Sequence, residues 1–334
     1  MVAKSLVTGP RNARESNRVE FEGGSVASKL LASTLSATLK PAIHLWALAP
    51  GLPWPYGVVD HIGRVLRSVP GTTRRSATLR NCSAETTRPA TTRTDRYVVY
   101  MHGGAFLVGG RYLHRQLISR IAAALSSEVV AVDYRMLPNH TIADGVEDCV
   151  DAYRFALAKG IPPEQIAFMG DSAGAYLVFM AAVVAREQGL PMPGAIVSMA
   201  PVIDFDLHAK LDAPSAATDA LFTKGFARTM HRLVLDHCPM PHTRRQIVDE
   251  DLSGLPPSLI QVSSTELLYP DAERLAVELA KAGVPHQLQV WLDQVHVFQA
   301  AASIVPEAAR ALTEVTEFVE SAFAAHEAVA RSVG

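Results

Sequence analysis

From residue 97 onward, apolar runs of about five residues alternate with longer stretches in which apolar positions recur every three or four. The runs at 97–101, 128–132, 165–169, 195–199, 258–262 and 287–291 read as buried strands. The stretches at 111–125, 142–158, 173–187, 271–282 and 306–328 read as helices. Strands separated in this way by helices imply an α/β fold with a mostly parallel sheet covered on both faces. Residues 173–185, between Asp171 and Arg186, are apolar throughout. A membrane-spanning helix takes ~18 or more apolar residues, so this segment reads as a buried helix.

The alternation fails in two places. Residues 205–251 separate two strands by an interval too long for a simple crossover. An insertion there lies at the carboxyl ends of the strands, where open α/β sheets bind ligands. Upstream, Val26, Leu30, Leu31, Leu35 and Leu39 fall at helical intervals and precede a Pro-rich stretch at 41–55. Both regions read as a helical cap. The predicted division is an N-terminal helical cap segment over 1–70 and a catalytic domain over 71–334, with a cap insertion at about 205–250. The Thr- and Arg-rich stretch 72–96 reads as irregular, or as edge strands joined by long turns.

Composition narrows the class. The chain has 334 residues, 49% of them apolar and 19% charged, which excludes a disordered chain. A net charge of -2 excludes a basic nucleic-acid binder. Cys82, Cys149 and Cys238 are odd in number and far apart, so they suggest neither a disulfide framework nor a zinc site. The stretch from Met1 to Glu20 is polar and lacks a leader's apolar run, and no integral membrane segment is predicted; the expected location is cytoplasmic.

Two motifs carry chemistry. Gly170-Asp171-Ser172-Ala173-Gly174 follows a predicted strand and opens a predicted helix. That is the context G-x-S-x-G needs, a sharp turn that exposes a serine nucleophile. A chance match at a tight turn is the plain alternative, and the flanking strand and apolar helix weigh against it. His102-Gly103-Gly104-Ala105-Phe106 follows the strand at 97–101. Glycines there let backbone N–H groups approach a developing oxyanion. The candidate donors are the amides of Gly103, Gly104 and Ala173, with Ala105 a further one. His102 is expected to brace this loop and not to act as the base.

His-Gly-Gly-Ala upstream of Gly-Asp-Ser-Ala-Gly resembles the pairing found in the hormone-sensitive-lipase-like α/β-hydrolases, the bacterial family IV esterases. The resemblance continues in Asp133-Tyr134-Arg135, Pro138 and Glu147-Asp148, and covers about residues 97 to 298. The chain departs from the family at Ala105, at Asn139-His140 after the proline, and at Ala175. The resemblance implies an α/β-hydrolase fold, a serine carboxylesterase or lipase-like activity, and short- to medium-chain acyl esters as substrates. It is also compatible with a homodimer.

The order serine, acid, histidine in such folds points to His296, after the last predicted strand. His286 sits at the other end of that strand, and His231, His237 and His242 lie in the expected cap. For the acid, Glu266 is preferred over Asp271 and Asp204: it lies nearest the end of the strand at 258–262, and aligning on Ala282-Gly283-Val284-Pro285 puts the family acid there. No metal or cofactor is expected, because the chain carries no P-loop, dinucleotide fingerprint or zinc-spaced cluster. Leu207, Leu211, Phe222 and Phe226 are candidates either to line an apolar pocket or to pack within the cap. A ligand-binding protein on the same scaffold, and an acyltransferase or amidase, are the alternatives. The first is disfavoured by the presence of His296; the second would use the same three side chains.

Overall fold

The computed structural model describes residues 17–333. Most of the polar stretch from Met1 to Glu20, and the first sixteen residues of the expected cap segment, lie outside them. Among the described residues, one sheet contains β1 (Arg18–Phe21), β2 (Thr73–Thr78), β3 (Ser83–Arg88), β4 (Arg93–Met101), β5 (Ser127–Asp133), β6 (Ile166–Asp171), β7 (Ala195–Met199), β8 (Ser258–Ser263) and β9 (His286–Trp291). Their order across the sheet is β1-β9-β8-β7-β6-β4-β5-β3-β2. β2 runs antiparallel to β3 and β3 to β5, while every other neighbouring pair is parallel. The expected α/β-hydrolase class, with its mostly parallel sheet, is borne out.

The chain leaves β4 for β5 on one side and then crosses to β6 on the other. That reversal opens a crevice at the carboxyl ends of β4 and β6, where open α/β sheets bind ligands. The two functional motifs follow these two strands directly.

Alternate residues of the central strands face opposite layers. In β4, Tyr97, Val99 and Met101 join one core while Val98 and Tyr100 join the other. The first layer is built by α5 (Ile142–Ala158), α6 (Ala173–Glu187) and α10 (Tyr269–Lys281), and the second by α4 (Arg115–Ala124) and α11 (Pro306–Val333). Strands covered on both faces cannot alternate polar and apolar residues, so they read as continuous apolar runs. α6 is buried from Ala173 to Ala185. It lies between β6 and α5, so it has no polar face.

Three regions differ from the sequence reading or sharpen it. The stretch 72–96 follows the second of its two readings, edge strands: β2 and β3 form an antiparallel pair at the sheet edge, where β-branched threonines fit a half-exposed pleated surface. β1 was not anticipated; it pairs with β9, and Phe21 stacks on Trp291 with ring centroids 4.1 Å apart. The region preceding β2 holds α1 (Val26–Ala37), α2 (Leu39–Leu48) and α3 (Tyr56–Ile62). Pro41 falls in the first turn of α2, where a missing N–H leaves no helical bond unmade. Between β7 and β8 the chain forms α7 (His208–Asp212), α8 (Ser215–Thr218) and α9 (Lys224–His237).

Candidate active site

Ser172 sits between β6 and α6 with φ +53° and ψ −116°, a strained conformation for a residue with a Cβ. Its N–H donates to Met199 O at 2.8 Å, which ties the turn to β7. Two close approaches explain the flanking glycines. A Cβ on Gly174 would lie 1.9 Å from Met101 O, and one on Gly170 would lie 2.4 Å from Gly174 O. Larger residues would push the helix off the strand and move the serine.

The loop after β4 is held from below by Asp171. Its Oδ1 accepts from Tyr100 Oη at 2.6 Å and from Gly103 N–H at 3.1 Å, and its Oδ2 faces His114 Nε2 at 3.2 Å. Burial alone would lift the Asp171 carboxyl, but His114 and Tyr100 hold it below the usual carboxylate range. Burial likewise works against the charge on His114, and Asp171 outweighs it and raises its pKa. This geometry corrects one expectation. The Gly103 amide, offered above as an oxyanion donor, already donates to the buried Asp171 carboxylate. Gly104 and Ala105 follow with φ +122° and +57°, and their N–H groups donate to no partner among the described residues.

His102 behaves as a brace. Its Nδ1 donates to Gly103 O at 2.7 Å and its ring stacks on Tyr134, whose hydroxyl donates to His102 O at 2.8 Å. Burial and the neighbouring His114 push its pKa down to about 4, so it is neutral. Arg135, next to Tyr134, is fixed by Asp148 and Asp144 from α5.

The structure brings His296 and Glu266 together. His296 Nδ1 bonds Glu266 Oε2, and Ser263 N–H donates to Glu266 Oε1 at 2.7 Å. Ser263 Oγ and Thr265 Oγ1 both donate to Gln294 O at 2.6 Å, locking the loop after β8 to the loop after β9. Val297, the next residue, has φ +52°, unusual for a β-branched side chain. Burial opposes the charged form of His296, but Glu266 beside it raises its pKa above the ordinary value. Burial raises the pKa of Glu266, against the pull of His296 and Ser263 N–H.

Asp204 and Asp271 are engaged elsewhere. Lys210 Nζ lies 2.5 Å from Asp204 Oδ1 and 3.0 Å from Asp271 Oδ1, and Arg274 reaches Asp204 Oδ2 at 2.7 Å. Burial lifts Asp271 to about 7 despite the lysine beside it.

Ser172 opens into a cavity of about 90 Å³ whose walls include Ala105, Leu207, Phe222, Phe226 and Met230. Phe222 also meets the His296 ring edge-on at 4.9 Å between centroids. Leu211 packs beside Leu207 and Phe222 instead of lining the cavity. Asp219 was missed by sequence reasoning. It is 1% exposed and its carboxylate accepts from the N–H groups of Leu221, Phe222 and Leu267 at 2.7–2.8 Å. It thereby ties Phe222 to the residue after Glu266. An acid inside the mixed sequence 205–250 carries no signal of that role. Among the described residues no group of three or more His, Cys, Asp or Glu is placed to hold a metal, and no helix is long and apolar enough to cross a membrane.

A serine at a strained strand–helix turn, a buried histidine–carboxylate pair and a loop of free amides on this sheet define a serine hydrolase. The model of the alpha/beta hydrolase fold family Abhydrolase_3 matches residues 98–300. The esterase LipU of Mycobacterium tuberculosis is 37% identical over 294 residues, 85% of this chain and 99% of its own. The carboxylesterase/phospholipase LipF of the same organism is 38% identical over 318 residues, 90% of this chain and 83% of its own. A solved esterase from the bacterial hormone-sensitive lipase family superposes with a TM-score of 0.79 at 29% identity, covering 90% of this chain and 99% of that one. The chain belongs to the hormone-sensitive-lipase-like esterases of the α/β-hydrolase fold.

Proposed function

We propose that Ser172, His296 and Glu266 carry out carboxylic ester hydrolysis as nucleophile, general base and orienting acid, on short- to medium-chain acyl esters. The observation that carries the assignment is the bond from buried His296 Nδ1 to the buried Glu266 carboxylate. With Nδ1 donating, Nε2 is the free, basic nitrogen and takes the Ser172 proton as Oγ attacks the acyl carbon. Glu266 then stabilises the imidazolium that results.

The negative charge on the tetrahedral oxygen is met by the N–H groups of Ala173, Gly104 and Ala105, held in place before the substrate arrives. Ala173 contributes from the N-terminus of α6, where N–H groups have no helical partner. Collapse of the intermediate breaks the ester C–O bond, and His296 protonates the departing alcohol. Water, deprotonated by His296, attacks the acyl-serine, and its collapse returns the proton to Ser172 and releases the acid. In this reading α1–α3 and α7–α9 form a cap on a catalytic domain over 71–334, and the cap walls set the acyl length. The intact His296–Glu266 pair favours hydrolysis over a pure binding role.

Steady-state hydrolysis of p-nitrophenyl esters with two to twelve acyl carbons, on wild type and Ser172→Ala, tests the proposal. Turnover should peak at the shorter chains and fall to background in the variant. An unchanged rate in Ser172→Ala removes the serine from the mechanism.

A further inference from the structure

Nine of the thirteen exposed large apolar side chains among the described residues fall between positions 26 and 65. They form outward stripes at helical spacing. In α1, Ala27, Leu31 and Leu35 pack on the core while Val26 and Leu30 face outward. In α2, Ala47 is buried and Trp46 packs inward, while Leu45 and Leu48 are 60% and 69% exposed. Val58 and Ile62 of α3, then Val65, continue the pattern. Helices that are apolar on two opposite sides have an outer partner as well as an inner one.

The charges around this face are one-sided. Residues 23–70 contain Lys29, Lys40, Arg64 and Arg67 against one acid, Asp60, although the whole chain is net negative; of these cations Lys40 is turned inward, donating to Asp219 O at 2.6 Å. Asp60 is occupied inward, accepting from the N–H groups of Tyr112 and Leu113. α9 extends the field. It packs on α2 through Trp46–Phe226 and through Thr229 Oγ1, which donates to Ala47 O at 2.9 Å. Lys224, Arg228 and Arg232 recur every fourth residue on its exposed side, and Asp236, at its far end, is its one acid. Neither Arg228 nor Arg232 has an ion-pair partner among the described residues. The opposite side of α9 presents Phe226 and Met230 to the Ser172 cavity.

We propose that the outer faces of α1, α2, α3 and α9 dock on an anionic lipid surface, so that acyl esters enter the cavity from that surface. This rests on the ester hydrolase reading. Apolar side chains inserted at the headgroup boundary and cations facing anionic headgroups are the two contributions such binding needs. A protein partner would leave the unpaired arginines needing matched acids, whereas a lipid surface supplies negative charge wherever they fall.

The test is co-sedimentation of the full chain with phosphatidylcholine vesicles, with and without phosphatidylglycerol. Binding should require the anionic lipid and weaken as salt shortens the screening length. Arg228→Gln with Arg232→Gln should lower the partition coefficient about 30-fold, from about 1 kcal/mol per basic residue near the surface. Leu45→Ser with Leu48→Ser should lower it more than tenfold. Both double variants should hydrolyse soluble p-nitrophenyl acetate at the wild-type rate. No binding, equal binding to neutral vesicles, or an unchanged partition in either double variant overturns the proposal. So does a concentration-dependent dimer in sedimentation velocity that Leu45→Ser with Leu48→Ser dissociates, if vesicles are not bound; the face then belongs to a second copy. Wild type inactive on p-nitrophenyl acetate would count against the hydrolase reading alone, because vesicle binding is read without turnover.

Discussion

Glu266→Gln isolates what the buried carboxylate contributes. In the wild type, Oε1 accepts Ser263 N–H and Oε2 meets His296 Nδ1. A glutamine has only one oxygen for these two positions. Facing its NH2 toward Ser263 would set donor against donor inside a site where Glu266 is 1% exposed, at a cost of about 1–3 kcal/mol. The amide oxygen therefore stays on Ser263 N–H, and the NH2 group faces His296. Nδ1 must then accept, which moves the imidazole proton to Nε2, the nitrogen needed to receive the serine proton. The equivalent carboxylate-to-amide change in a serine-protease triad lowers kcat about 10⁴-fold, or about 5 kcal/mol of barrier. The same loss is expected here. Folding should be preserved, because the glutamine fills the same space and still has a hydrogen-bond partner at both Ser263 N–H and a neutral His296. The assay is kcat for p-nitrophenyl butyrate together with a thermal melt. A folded variant with kcat within tenfold of wild type would refute the tautomer argument and the role of Glu266.

Three further predictions follow from the same geometry. Because Glu266 raises the pKa of His296 against the effect of burial, and only neutral His296 can take a proton, kcat/KM should climb through a limb whose midpoint lies above 6.5. In Glu266→Gln the limb should move toward acid; a limb unmoved by that change would detach it from His296. Ser172→Gly should abolish turnover yet raise stability by about 1 kcal/mol, since φ +53° is strained for serine and open to glycine; a lower melting temperature would contradict the strain. Asp219→Ala should leave three buried N–H groups unpaired, cost on the order of 3 kcal/mol in chemical denaturation, and reduce kcat by displacing Phe222 and Leu267. A variant as stable as wild type would show that those amides find other partners.

The parallel core was legible because burial on both faces demands continuous apolar strands, and the runs ending at Met101, Met169 and Met199 have no competing reading. α5 and α6 fall at the expected residues because a capping box at Thr141 and the turn at Ser172 mark their starts. One sheet edge was not legible. β1 is four residues in a charged stretch and gains its place from Phe21 stacking on Trp291, a contact 270 positions away in the chain. At the candidate site, sequence order and motif context led to Ser172, His296 and Glu266. The commitment of the Gly103 amide to Asp171 was hidden, because it depends on a carboxylate that reaches across from the next strand. Asp219 was hidden for the same reason: its three partners are backbone groups, which leave no trace in residue identity.

The central claim is that Ser172 is the nucleophile. Incubation with a p-nitrophenyl alkylphosphonate, followed by peptide mapping by mass spectrometry, reads it directly. The account predicts one phosphonyl adduct per chain, on Ser172, forming in step with the loss of esterase activity. Loss of activity with Ser172 unmodified, or a stoichiometric adduct on another residue, would contradict it.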